Sequence, residues 1–375
     1  MKKTKRALPV EEAFSPKKKH IAALVNFGGI AVSYLLCMLL LQTGVINSYY
    51  EGILMMVGIN IIMAASLNLA TGFLGQLALG HAGFMSIGAY TSALFTRYLN
   101  VGSDYLSFLL SLLAAALLAA IVGLLVGIPA LRLRGDYLAI ITLGFGEIIR
   151  SVFQNLSITG GAQGLNGIPR VNNFTTVFVV MVIVLYILYT FIRSRHGRAV
   201  MAIREDEIAA ESSGINITSY RTLAFTLSAA LAGVAGGLYA HYVGILAPAY
   251  FNFNKSIEFV VMVVLGGMGS LTGSILAAIV LTLLPELLRG FSEYRMLIYS
   301  LALVIIMIFK PSGLLGTYEF SLTRACKKAG GFLKNLFSTG RKKAREEKSS
   351  GNFSKNLPAG EEKEEPAAQT EKEGR

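Results

Sequence analysis

Charge is scarce in this chain, and most of the positive charge lies at its two ends. Charged residues make up 15% of the 375 against 54% hydrophobic, and mean hydropathy is +0.58. Of the 34 Lys and Arg, 7 fall in residues 1–20 and 14 in residues 310–375. The net charge of +12 therefore says little about nucleic acid, and no nucleic-acid partner is expected. The charge fits basic flanks held on one side of a membrane and drawn to anionic lipid headgroups. Cysteine is nearly absent. Cys37 lies in an apolar run and Cys326 in the basic tail, so neither a disulfide framework nor a metal cluster follows. A phosphate-cradling G-x-x-x-x-G-K-[ST] loop is missing, as are a G-x-S-x-G elbow, an H-E-x-x-H pair and Cys/His zinc spacing. These absences leave no catalytic residue, no metal ligand and no nucleotide cofactor to assign to this chain.

Long apolar stretches are what the chain has instead. They cover residues 21–41, 52–70, 77–96, 105–128, 138–153, 174–192, 223–243, 257–288 and 295–309. Several reach the ~20 residues needed to cross a hydrocarbon core of ~30 Å. The fold expected is all-α, a polytopic transmembrane helix bundle. The first run follows Lys2, Lys3, Lys5, Arg6 and Lys17–Lys19. It is longer than a signal-peptide core and lacks a small-residue cleavage site, so it reads as an uncleaved first helix. Nine crossings would place Lys310, Arg324, Lys327, Lys328 and Arg341–Lys343 outside, against the positive-inside rule. The run 257–288 is interrupted by Gly266, Gly267, Gly269 and Gly273, which permit a broken or re-entrant element. Splitting it gives about ten segments and both termini inside. Arg132, Arg134, Arg193, Arg195, Arg198 and Arg204 then fall on the cytoplasmic side.

The organisation expected is a basic N-terminal tail (1–20), a membrane domain (21–315), and a C-terminal tail (316–375) that is basic, then acidic. Phe332, Leu333, Leu336 and Phe337 beside Lys327, Lys328 and Lys334 suit a short helix along the membrane surface. The Glu-, Lys-, Ser- and Pro-rich remainder suits disorder.

Three features stand out within the membrane domain. First, Gly72–Leu77 and Gly266–Leu271 share the pattern G-x-x-G-[QS]-L, which suggests two related halves with broken helices facing each other. The first sits in LNLATGFLGQLALGHAGFMSIGAY, residues 67–90, where small residues suit close helix approach. Gln76 and His81 there need a polar partner or a water-filled path. With Gly75, Gly269 and Glu147 they are the candidate substrate-pathway residues. Second, Glu147 and Arg150 share a helix face. Glu147 follows Asp136 by about 11 residues, roughly 16 Å of helix, so it is expected near mid-membrane. There a carboxylate is costly unless paired. An ion pair and a pathway or proton site both fit. Third, residues 197–220, GRAVMAIREDEIAAESSGINITSY, form a polar island between apolar runs. Ala-rich spacing with early acids predicts a helix, and Gly214 and Asn216 predict its end. Such a solvent-facing helix suits docking to a soluble partner.

Residues 67–90 resemble the N-terminal signature of the LivM/LivH permeases, the membrane subunits of branched-chain amino-acid ABC importers. LRLRGDYLAIITLGFGEIIR and TGGAQGLNGIP look like two further blocks of the LivM branch. GRAVMAIREDEIAAESSGIN followed by VVLGGMGSLTGSILAA matches the C-terminal half. The resemblance covers roughly residues 50–315. It implies a plasma-membrane importer in which this chain pairs with a second homologous permease. Two ABC ATPase subunits carrying ATP and Mg would dock inside, and an extracytoplasmic substrate-binding protein would deliver ligand. The island is similar to the coupling loop of such importers. Ala209, Ala210 and Gly214 keep its A-A-x-x-x-G spacing, Glu207 is its displaced acid, and its terminal Leu-Pro is missing. Urea or short-amide permeases look alike in these blocks. A proton-coupled secondary transporter could use Glu147 and His81, but the polar island argues against it.

Overall fold

The computed structural model describes residues 28–29, 31–41, 43, 47–99, 103–133, 135–291, 294–310, 313–314 and 316. The expected N-terminal tail (1–20) lies outside these residues, as do Arg134 and all of the expected C-terminal tail (316–375) except Gly316. Almost everything described belongs to the compact unit Ala31–Phe320.

The unit is helical, as the apolar periodicity requires. In chain order the helices are α1 (Ala31–Leu41), α2 (Ser48–Asn68), α3 (His81–Tyr98), α4 (Asp104–Ala130), α5 (Asp136–Asn155) and α6 (Phe174–Arg193). There follow α7 (Arg195–Glu205), α8 (Glu207–Ser212), α9 (Ile217–Val243), α10 (Phe253–Gly266), α11 (Leu271–Leu287) and α12 (Arg295–Phe309). By length and apolarity, five stretches among the described residues qualify as membrane spans. They are Ser48–Phe73, Asp104–Ala130, Phe174–Arg193, Ile217–Val243 and Leu271–Phe291.

Side-chain caps set several starts. Ser103 accepts from Leu106 N at the head of α4, and Asn216 from Ser219 N at the head of α9. Each satisfies a backbone donor that the first helical turn leaves free.

The core is a three-helix contact of α3, α4 and α9, with α2 and α11 packed beside it. In an apolar solvent helices associate through close packing of small residues. Gly88 and Gly233 show this directly: a Cβ on Gly88 would lie 2.0 Å from Gly233 O. The small residues of 67–90 therefore act as the packing surface expected of them.

At the far end of α9 the chain forms the one strand pair among the described residues. Leu165–Asn166 pairs antiparallel with Ile245–Leu246. Arg170 donates to Val243 O at 3.1 Å there, satisfying a carbonyl at the end of α9.

The long run 257–288 is interrupted as the sequence predicts, with α10 ending at Gly266 and α11 starting at Leu271. The apolar run over 77–96 is helical only in part. Leu77–Gly80 is not helical, and α3 starts only at His81. The cause is tertiary. Leu79 N donates to Thr142 Oγ1 of α5 at 3.0 Å, and Gly80 backs onto the Thr142 carbonyl.

Candidate functional site

The two glycine motifs come together. After Asn68 the helix widens into a π-turn, Leu69–Phe73, closed by Leu74 N donating to Leu69 O. Such turns free backbone groups and recur at functional sites. Gly75 follows with φ +78°, and Gly269, at the same position of the second motif, has φ +84°. L-residues with a side chain rarely adopt that region, so the matched pattern carries matched backbone roles.

Asn68 joins the two breaks. It is fully buried. Its Nδ2 donates to Ser270 O and its Oδ1 accepts from Gly269 N, both at 2.9 Å. The paired donor and acceptor of a primary amide match the Gly269 N–H and the Ser270 carbonyl presented by the second break. Gly72 is what lets the segments meet, since a Cβ there would lie 2.3 Å from Gly269 N. Sequence reasoning missed Asn68. The available signal was an amide in an apolar run next to the first motif.

The island folds as a braced arm. The sequence predicts one helix, and the structure has two. Asp206 ends α7 with φ −155° and its carboxylate accepts from Ile208 N and Ala209 N, starting α8. Gly214 closes α8 with φ +81°. Asn216 is the cap of α9 rather than a stop signal, a second correction. Val200 of α7 packs against Leu74 and Ala224. Glu207 pairs with Arg221 of α9 at 2.8 Å. Ala210 is buried against its own chain, which corrects its assignment to a docking face. The outward side carries Ala209, Gly214 and above all Ile208, which is 79% exposed. An aliphatic side chain held that far into solvent on a charged arm was not singled out by the spacing argument.

Arg204, on α7, ties the arm to both breaks. Its Nη1 donates to Gly72 O at 2.6 Å. A Cβ on Gly75 would lie 2.9 Å from its Cγ, and one on Gly269 would lie 2.6 Å from its Nη1. Gly75 and Gly269, expected along a pathway, both lie against this side chain.

The remaining candidates separate. Gln76 Oε1 is buried with no hydrogen-bond partner. His81 is buried, with Nε2 at 2.9 Å from Ser66 Oγ, whose hydroxyl in turn reaches Met63 O. Glu147 and Arg150 pair as their spacing predicts, Nε to Oε2 at 2.7 Å. Their expected burial is corrected, since the side chains are 37% and 30% exposed on this chain. One residue before Glu147, Gly146 packs on Gly80 and Gly83, so α5 flanks the first break. No group of three or more His, Cys, Asp or Glu fit for a metal occurs among the described residues.

Paired glycine breaks, apolar spans and an outward-held arm make a transporter subunit's architecture rather than an enzyme's. The family described as branched-chain amino acid transport system / permease component matches residues 49–309. The chain belongs to this family. Among curated proteins, this permease component is 41% identical over 292 residues to one from Salmonella typhimurium. That relative is named high-affinity branched-chain amino acid transport system permease protein LivM, and the match covers 68% of each chain. A probable LivM of Methanocaldococcus jannaschii is 24% identical, covering 70% of this chain and 92% of its own length. The Salmonella typhimurium permease protein LivH is 31% identical over 176 residues, 45% of this chain and 55% of its own. No solved structure matches. The protein is a multi-pass membrane transport component, and its relatives are named as permeases rather than enzymes.

Proposed function

We propose that this chain is one of two homologous permeases in an ATP-driven importer of branched-chain or related amino acids. ATP and Mg bind to two partner ATPases. A substrate-binding protein outside the membrane delivers the ligand. The chain lies in the cytoplasmic membrane with both termini inside. Arg193, Arg195, Arg198 and Arg204 support a cytoplasmic position for the arm. Substrate passes over the non-helical segment after the first break, where Gln76 offers an unpartnered amide oxygen. Glu147 supplies a charged group on flanking α5. His81 supports that segment from behind through Ser66.

The observation that carries this reading is the exposed Ile208–Ala209 edge of an arm otherwise pinned to its own chain. An apolar knob on a polar loop gains free energy only when a partner covers it.

The test places A209W and I208E in the complete complex. Disrupting an anchor at the centre of an interface costs about 2 kcal/mol or more, roughly thirtyfold in affinity. Membrane levels should hold, while copurifying ATPase and uptake of labelled leucine, isoleucine and valine are lost. Normal copurification and uptake in both variants would remove the arm as the docking element. Uptake of labelled urea in place of the amino acids would move the substrate class.

A further inference from the structure

We propose that Arg204 is the positioning residue that transmits movement of the arm to both helix breaks at once. This rests on the importer reading above and adds the physical connection that the reading lacks. The arm's contact with the first break is made by Val200 on Leu74 and by the Arg204 stem over Gly75. The second break is reached through the Arg204 guanidinium, whose Nη1 both donates to Gly72 O and abuts Gly269. One planar fork therefore spans the two motifs, at the place where Asn68 joins them from the opposite side.

The chemistry suits a coupler. A π-turn leaves carbonyls short of partners, so Gly72 O is a receptive acceptor for a charged donor, and such bonds are stronger than neutral ones. Both second glycines hold backbone angles that other residues resist, so each break is a defined joint. A displacement of α7 then pulls on both joints through one side chain.

The experiment uses the assembled transporter in proteoliposomes, with substrate transported per ATP hydrolysed as the readout. R204A should lower that ratio by about tenfold, within the range of coupling energies between linked sites, while ATPase copurification holds. R204K keeps the stem over Gly75 but has no fork, and should recover only part. Next, L74C and V200C are introduced with R204A, in a background carrying C37A and C326A. A reversible thiol cross-linker then ties the arm to the first break. The tie should raise the ratio again, and reductant should lower it. Should R204A accumulate poorly, the R204K ratio carries the test alone.

An unchanged ratio in R204A, or in R204K where that variant stands alone, would overturn the proposal. So would a tie without effect. Failure of the importer reading looks different, because the parent complex would then show no ATP-dependent uptake at all.

Discussion

After Gly75 the chain stays non-helical as far as Gly80, whereas after Gly269 it is helical again from Leu271. The two motifs differ at the residue that follows the second glycine. Ser270 places Oγ 3.1 Å from Gly273 N and caps α11. Gln76 gives no such cap, and its carbonyl oxygen is left without a partner. A serine at that position satisfies a free donor of the first turn and lets the helix begin at once. A glutamine, one methylene longer than the cap-forming asparagine, leaves the chain to find partners elsewhere, and it finds Thr142 of α5. One break is therefore a tight joint. The other is an open stretch of backbone beside a polar side chain. In a transporter those are different tools, a hinge and a lining.

The largest expected effect comes from removing what the two breaks share. In N68A, Gly269 N loses its partner, while Ser270 O loses one donor and keeps Ser274 N and Ser274 Oγ. The stranded Gly269 N costs about 1–3 kcal/mol. The purified, detergent-solubilised complex should melt several degrees lower than the parent. N68D should do little better, because a carboxylate accepts from Gly269 N but cannot donate to Ser270 O. A melting temperature unchanged in N68A would mean that the breaks are held together by packing alone.

A smaller effect is expected at the tight joint alone. S270A loses a helix cap worth about 1 kcal/mol, so the melting temperature should fall modestly. Uptake per transporter should survive, since the helix still has its packing against α2 and α10. A fall as large as that of N68A would show that Ser270 supports both breaks, and the contrast between hinge and lining would fail.

Much of this was legible before any coordinates. Apolar runs gave the helices, and clustered glycines marked the interruption at 266–270. The Glu147–Arg150 spacing gave the pair. Three things were not legible, and each depends on contacts remote in sequence. The non-helical 77–80 depends on Thr142, and a local pattern of apolar residues contains no trace of it. The split of the island depends on Asp206 turning to cap α8, and acidic residues read equally well as part of one helix. The reach of Arg204 spans 132 positions to Gly72. Its arginine reads from sequence only as a positive-inside charge. The exposure of Glu147 follows from α5 flanking this chain's edge. Burial was inferred from distance along a helix axis, which fixes depth but not the direction a side chain faces.

The smallest expected effect on stability is at Gln76, and it separates the two breaks most sharply. Removing a buried polar atom that already lacks a partner strands nothing new, so the usual penalty does not arise. Q76A should melt within error of the parent, or slightly above it. Its cost should appear in transport instead. A buried amide oxygen without a partner offers an acceptor to the α-ammonium group of a ligand that reaches it, and alanine does not. Apparent KM for labelled leucine should therefore rise in Q76A while ATPase copurification is unchanged. S270A should show the reverse, a lower melting temperature with KM unaltered. If Q76A instead loses stability as S270A does and leaves KM untouched, Gln76 is a structural support. The open break would then be a second hinge.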